Sequence, residues 1–222
     1  MLAIELRLAL GSPLFRLGEY RRDLTLLREA EVLTRALDDR ARLGQVLAQM
    51  TAVLRITGDL DSAIAVGQQA LELAAELGES AVQAHASYTL AHAYRATGNI
   101  RQAAELLWRS VEATDWESST SSIGLRIESQ ATLARILSDL GDFAEGRRHG
   151  EEALRLATVE SHAVAPIVTH TCLGFLYLEK GDLEAAIPVL DRGLALCRAA
   201  DNWDWGRGIT ASLGYAPEQD MP

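Results

Sequence analysis

Four side chains spaced by three, four and three residues, His85, Tyr88, His92 and Arg95, fall on one face of a helix and form the densest set of chemically capable groups in the chain. With Arg55 they could grip a carboxylate or phosphoryl group, the guanidinium forks supplying charge-assisted hydrogen bonds and the imidazoles tuning affinity near neutral pH. The same spacing argues against a metal site. His85 and His92 stand two turns apart, roughly 10 Å along the axis, whereas a zinc-protease helix sets its histidines one turn apart with a Glu between them.

Nucleophilic catalysis has no firmer footing. It needs Ser or Cys beside His with an acid behind, and the nearest sequence pair, His170 and Cys172, sits two apart on a helix and points to different faces. Lys180 is the only lysine beside twenty arginines, which leaves no second ammonium for a phosphate loop or a Schiff base. The expectation is a non-enzymatic chain with no catalytic, cofactor-binding or metal-binding residues and no cofactor.

Composition narrows the partners. The formal charge is −10 and no basic cluster exceeds the pairs Arg21-Arg22 and Arg147-Arg148, so a phosphate backbone finds no electrostatic footprint and nucleic acid is not expected as a ligand. The first ten residues carry Glu5 and Arg7 inside an apolar run and lack a basic leader region or a cleavage site. No apolar stretch approaches membrane-spanning length, so membrane association is not expected and the location expected is cytoplasmic.

The elements that must position these groups follow from a recurring turn. Gly18-Glu19-Tyr20, Gly58-Asp59-Leu60, Gly98-Asn99-Ile100, Gly141-Asp142-Phe143 and Gly181-Asp182-Leu183 recur at intervals of 40, 40, 43 and 40 residues, the signature of a helical solenoid whose units bury their apolar faces against neighbours. Each glycine ends a first helix in the left-handed conformation, and the acid or amide beside it caps a second.

Around each glycine three positions are almost always small. Seven before stand Gly11, Thr51, Ala91, Ala134 and Gly174; five after stand Asp23, Ala63, Ala103, Gly146 and Ala186; twelve after stand Ala30, Ala70, Ser110, Ala153 and Gly193. Eight and four residues before it the side chains are large and apolar, as in Met50 and Leu54 or Leu173 and Tyr177. The pattern predicts first helices over 2–17, 40–57, 80–97, 122–140 and 163–180, partners over 20–37, 60–77, 100–114, 143–158 and 183–199, and a closing helix over 202–214. Pro13 should kink or restart the first helix near Gly11-Ser12, and Pro188 should loosen its own. The polar run Asp115 to Ser122 should be a longer surface loop. Cys172 and Cys197 should stay reduced, on the order of 9 Å out of register on antiparallel helices.

The order of large and small residues around the turn, as in Leu173-Gly174, Tyr177, Gly181-Asp182, Ala186 and Gly193, resembles the tetratricopeptide repeat over residues 5–215. The implied fold is an all-α, right-handed solenoid of about five helix-turn-helix repeats of 40 to 43 residues plus a terminal helix, in one domain over 1–215 with a tail over 216–222. HEAT and armadillo arrays match the period, but the Gly-acid turn and the three small sites favour the tetratricopeptide pattern. Stretches such as GDLDSAIAVGQQALELA and GDFAEGRRHGEEALRLA are also similar to the C-terminal repeat arm of bacterial regulators that carry adenylate or guanylate cyclase and ATPase domains upstream. Neither domain is present in these residues, so the resemblance implies only a sensing or docking arm. Both ends depart from the family pattern, as expected either of an excerpt of a longer protein or of a short orphan whose ends were trimmed.

In tetratricopeptide proteins the first helix of each pair lines a concave groove, and the resemblance implies ligand-facing positions thirteen, ten, six and three residues before the glycine. Carried onto this chain, they place Gln45, Arg55, His85, Tyr88, His92, Arg95, Glu128, Arg135, Thr171, Phe175 and Leu178 along a partner-binding groove for a protein or peptide, polar at its centre and apolar in the last repeat. Trp203 and Trp205 on the closing helix should either pack back on the fifth repeat or form a self-association surface, giving a homodimer through the terminal helices. The reading is a non-catalytic docking scaffold. Its alternatives are a self-assembly module stacking through uncapped terminal helices, and a small-molecule pocket at the His85 and His92 face.

Overall fold

The chain was analysed as a computed structural model that describes residues 2–112, 120–159 and 164–214. Among these residues there are eleven helices and no strand. In order they are α1 (Leu2–Arg16), α2 (Tyr20–Ala36), α3 (Arg40–Ile56), α4 (Leu60–Leu77), α5 (Ser80–Ala96), α6 (Ile100–Glu112), α7 (Thr120–Asp139), α8 (Phe143–Val159), α9 (Ala165–Lys180), α10 (Leu183–Ala200) and α11 (Trp203–Leu213). They fall into two compact units, Met1–Trp116 and Glu117–Pro222.

The predicted turn is present five times with one geometry. Gly18, Gly58, Gly98, Gly141 and Gly181 have φ between 72° and 88°, the left-handed region that a side chain enters only at a cost. The residue after each glycine donates its backbone N–H to the carbonyl five residues back, as from Asp59 to Leu54 at 3.0 Å and from Asn99 to Tyr94 at 2.8 Å, which closes the helix end in the Schellman manner. Side-chain capping is less uniform. Asp59, Asp142 and Asp182 accept from the N–H three residues on at 3.3 Å, whereas the Asn99 amide donates to Thr97 Oγ1 at 3.0 Å and Glu19, longer by a methylene, makes no such bond.

The small positions lie where helices touch. Thr51, Ala91 and Ala134 are fully buried, as are Ala63, Ala103 and Ala186 and, further along, Ala30, Ala70 and Ala153. A Cβ on Gly174 would stand 2.4 Å from Leu190 Cδ2, and one on Gly146 would stand 2.9 Å from the Ala134 carbonyl oxygen. In the first unit Leu27, Val46, Leu47, Met50 and Leu54 anchor one core. In the second, Ile127, Ala131 and Val168 anchor one cluster, and Ile167, Leu190, Leu194 and Ile209 anchor another.

Two expectations need correction. α1 runs without a restart from Leu2 to Arg16 with Pro13 inside it; the carbonyl that loses its partner is that of Ala9, an exposed residue whose oxygen water can reach. α7 begins at Thr120, so Thr120 to Ser122 are helical rather than loop. The rest of that expected loop, and the expected tail over 216–222, lie outside the described residues. Both cysteines are reduced and buried, and burial pushes the Cys197 thiol up to about 11.

Candidate functional site

In the first unit the odd helices form an inner layer, α3 packing on α1 and α5, while the even helices make no comparable contact with one another. Arg55 projects from α3, and His85, Tyr88, His92 and Arg95 from α5, all half-buried; Gln45, nearer the start of α3, is exposed. The Tyr88 and His92 rings meet edge to face with centroids 4.8 Å apart. Tyr20, at the start of α2, meets Phe15 of α1 in the same manner at 5.4 Å, and its phenol lies within electrostatic reach of Arg55.

Arg55 is the unusual member. Its Nε is buried without a hydrogen-bond partner, and desolvation draws its pKa down. The ionisable groups acting on it are Tyr88, Tyr20 and Arg95, each neutral or cationic at neutral pH. Arg135 in the second unit is placed very differently: it pairs with Glu179 and Asp139 and lies 5.1 Å over the Phe175 ring.

Both histidines are shifted below the ordinary imidazole range. Burial lowers His85, and burial together with the charges of Arg55 and Arg95 pushes His92 down to about 3. The His92 ring is neutral at physiological pH and meets Tyr88 edge to face. Among the described residues no group of three or more His, Cys, Asp or Glu could hold a metal ion.

The second unit uses its predicted positions differently. Thr171 is fully buried and its hydroxyl donates to the Ile167 carbonyl at 2.7 Å. Phe175 and Leu178 pack against the core cluster that includes Ile209, and so does Trp205, which touches both core clusters of this unit. Trp205 packs on the fifth repeat. Glu128 is half-buried on α7, and the Trp203 side chain lies outside the described residues.

Sequence reasoning missed three features. Tyr20 belongs to the Arg55 environment but lies on an even helix, beyond a rule that names only first helices. A recess of about 340 Å³ on the first unit is lined by Gln68, Glu72, Tyr94, Glu105 and Arg109, residues drawn mostly from α4 and α6. α1 also exposes Leu2, Leu6 and Leu10, and Leu17 just after it is exposed as well. Leu6 is 59% exposed, whereas its register equivalents Val46 and Ala86 are fully buried, a contrast visible only once coverage is known.

Comparison with known proteins bears on the fold. A tetratricopeptide-repeat family profile matches residues 125–199. Proteins of Mycobacterium tuberculosis and Mycobacterium bovis that bear the name HTH-type transcriptional regulator are 28% identical over 171 residues, 77% of this chain and 19% of their own length. The chain therefore spans about a fifth of the curated relatives it matches. Among solved structures, the nearly identical TPR-like repeats from Podosopora anserina superpose with a TM-score of 0.65 at 19% identity, over 89% of this chain and 96% of that one. The Rap conjugation gene regulator of plasmid pLS20, solved in complex with the Phr* peptide, gives 0.78 at 15% identity, over 95% of this chain and 55% of that one. The fold is a helical solenoid of tetratricopeptide type.

Proposed function

We propose that this chain is a non-catalytic docking scaffold that takes a protein or peptide on the inner face of its odd helices, as the sensing or docking arm of a bacterial signalling regulator. The observation that carries this reading is the convergence of Arg55, Tyr88, His92 and Arg95 in the inner layer of the first unit, with His85 earlier on the same helix. Polar and aromatic groups set along a helical layer suit recognition of an extended or helical peptide. The peptide complex of the Rap regulator is in keeping with this use of the fold, and the mycobacterial relatives, much longer than this chain, are in keeping with an arm that biases a larger regulator. Attachment to cyclase and ATPase domains is one form that regulator would take, in the cytoplasm and without nucleic acid or lipid on this face.

Selection of a random peptide library on the full chain tests the proposal. Selected peptides are expected to bind at least about tenfold more weakly when Arg55, His85, Tyr88, His92 and Arg95 are replaced by Ala, while Arg101→Ala on the even-helix α6 leaves binding in place. Equal binding to the five-residue variant would sink the reading. The exposed leucines of α1 favour a second reading, self-assembly through terminal helices with a second copy of the chain.

A further inference from the structure

In the first unit α4 and α6 pack on α5 rather than on each other, and the recess of about 340 Å³ lies in the gap this leaves. Its floor is apolar, made by Leu90 of α5 with Leu71 and Leu106 on either side. Gln68 Nε2 of α4 donates to the Tyr94 hydroxyl of α5 at 2.9 Å, which ties one wall to the floor. Each wall carries an exposed carboxylate, Glu72 on α4 and Glu105 on α6. Arg109 follows Glu105 by four residues, a spacing at which opposite charges meet on a helix, yet among the described residues none of these three is in an ion pair. The facing acids are particular to this place. Fourteen residues after one turn glycine and seven after the next, the other register-equivalent pairs are Val32 with Ala65, Glu112 with Arg148, and Arg155 with Pro188.

We propose that this recess is a second docking site, which takes an arginine side chain of a protein partner, its stem along Leu71, Leu90 and Leu106 and its guanidinium shared between Glu72 and Glu105. The chemistry follows from the lining. A long basic side chain covers apolar surface with its methylenes while its charged head stays at the water. A planar guanidinium has enough N–H donors to serve two carboxylates, whereas an ammonium acts as a point charge. The chain's net charge of −10 draws a basic partner in, and Arg109 repels a second cation beside the first, so that an arginine with an acidic neighbour fits best. The site is walled by even helices and shares no residue with the odd-helix face, so it stands or falls separately from the reading of that face.

The test titrates the intact chain, at constant ionic strength, with the blocked tetrapeptide Gly-Arg-Asp-Gly and follows the side-chain amide of Gln68 and the methyl resonances of Leu71 and Leu106. Saturable shifts are expected, and the same peptide with citrulline in place of arginine, equal in shape but uncharged, should give none that saturate. Glu72→Gln combined with Glu105→Gln should raise the midpoint at least about fivefold. Both side chains are exposed, so the fold tolerates the change. Glu151→Gln with Glu184→Gln, exposed acids of the second unit, removes the same charge and should leave the midpoint within about twofold. Saturation by the citrulline peptide, or an unchanged midpoint without Glu72 and Glu105, would overturn the site. A midpoint for methylguanidinium chloride equal to that of the peptide would make this a site for small cations and overturn docking.

Discussion

Asp23 occupies the position five residues after a turn glycine, where the other repeats carry Ala63, Ala103, Gly146 and Ala186. It is 2% exposed, and its Oδ1 and the Oε1 of Gln49 on α3 are both buried without partners. Both oxygens lie beside Gly11 of α1, where an added Cβ would stand 2.8 Å from the Gln49 atom and 3.4 Å from the Asp23 atom. Burial alone pushes the Asp23 carboxyl up to about 6. The native state therefore holds a proton that the unfolded chain gives up near pH 4, and stability falls as pH rises from about 4 to 6 and stays lower above. Asp23→Asn is expected to raise stability at pH 8 by up to roughly 3 kcal/mol and to change it little at pH 4, read from urea midpoints. His92 acts in the opposite sense. Its depressed pKa means the unfolded chain takes up a proton that the native ring refuses, so stability falls as pH drops from about 6.5 toward 3, and His92→Gln should flatten that limb. An unchanged pH profile in either variant would contradict its assignment.

At the scale of the element, the period, the turn and the three small positions were legible because each answers to one local cause: a left-handed φ, a capped end, or a helix contact with no room for a side chain. Gly141→Ala meets no atom within 4 Å but keeps a φ of 82°, so it should cost on the order of 1 kcal/mol. Gly174→Ala forces its Cβ onto Leu190, which is itself fully buried and cannot move aside, and overpacking of this kind costs about 1 to 3 kcal/mol. Thermal unfolding should rank Gly174→Ala below Gly141→Ala, and the reverse order would show that conformation rather than packing limits these positions. Less legible was anything set by more than one element. Pro13 is tolerated because its orphaned carbonyl reaches water, Asp23 fills a small site at the expense of its charge, and Tyr20 enters the Arg55 environment from a helix that the groove rule ignores. Phe175 and Leu178 looked free until the packing of α11 was known.

For the whole molecule, the two units carry separate cores, and stability in such arrays is a sum of local terms and neighbour contacts. The uncovered stripe of α1 is the place where a second copy would add such a contact, since Leu10, 40% exposed, corresponds to Met50 and Leu90, which are buried under their neighbours. Sedimentation at high concentration is expected to show self-association that Leu6→Glu with Leu10→Glu abolishes. A wild-type monomer throughout would leave docking as the single use of the surface. The turns carry a separate consequence for motion. Glu19, Asp59, Asn99 and Asp142 are exposed residues, yet their amide protons are tied into the end of the helix before them. An amide so held exchanges with solvent deuterium only when its helix end opens. These loop amides should therefore exchange as slowly as the last turn of α1, α3, α5 and α7, so that four solvent-facing positions serve as clocks for the opening of the helices they follow.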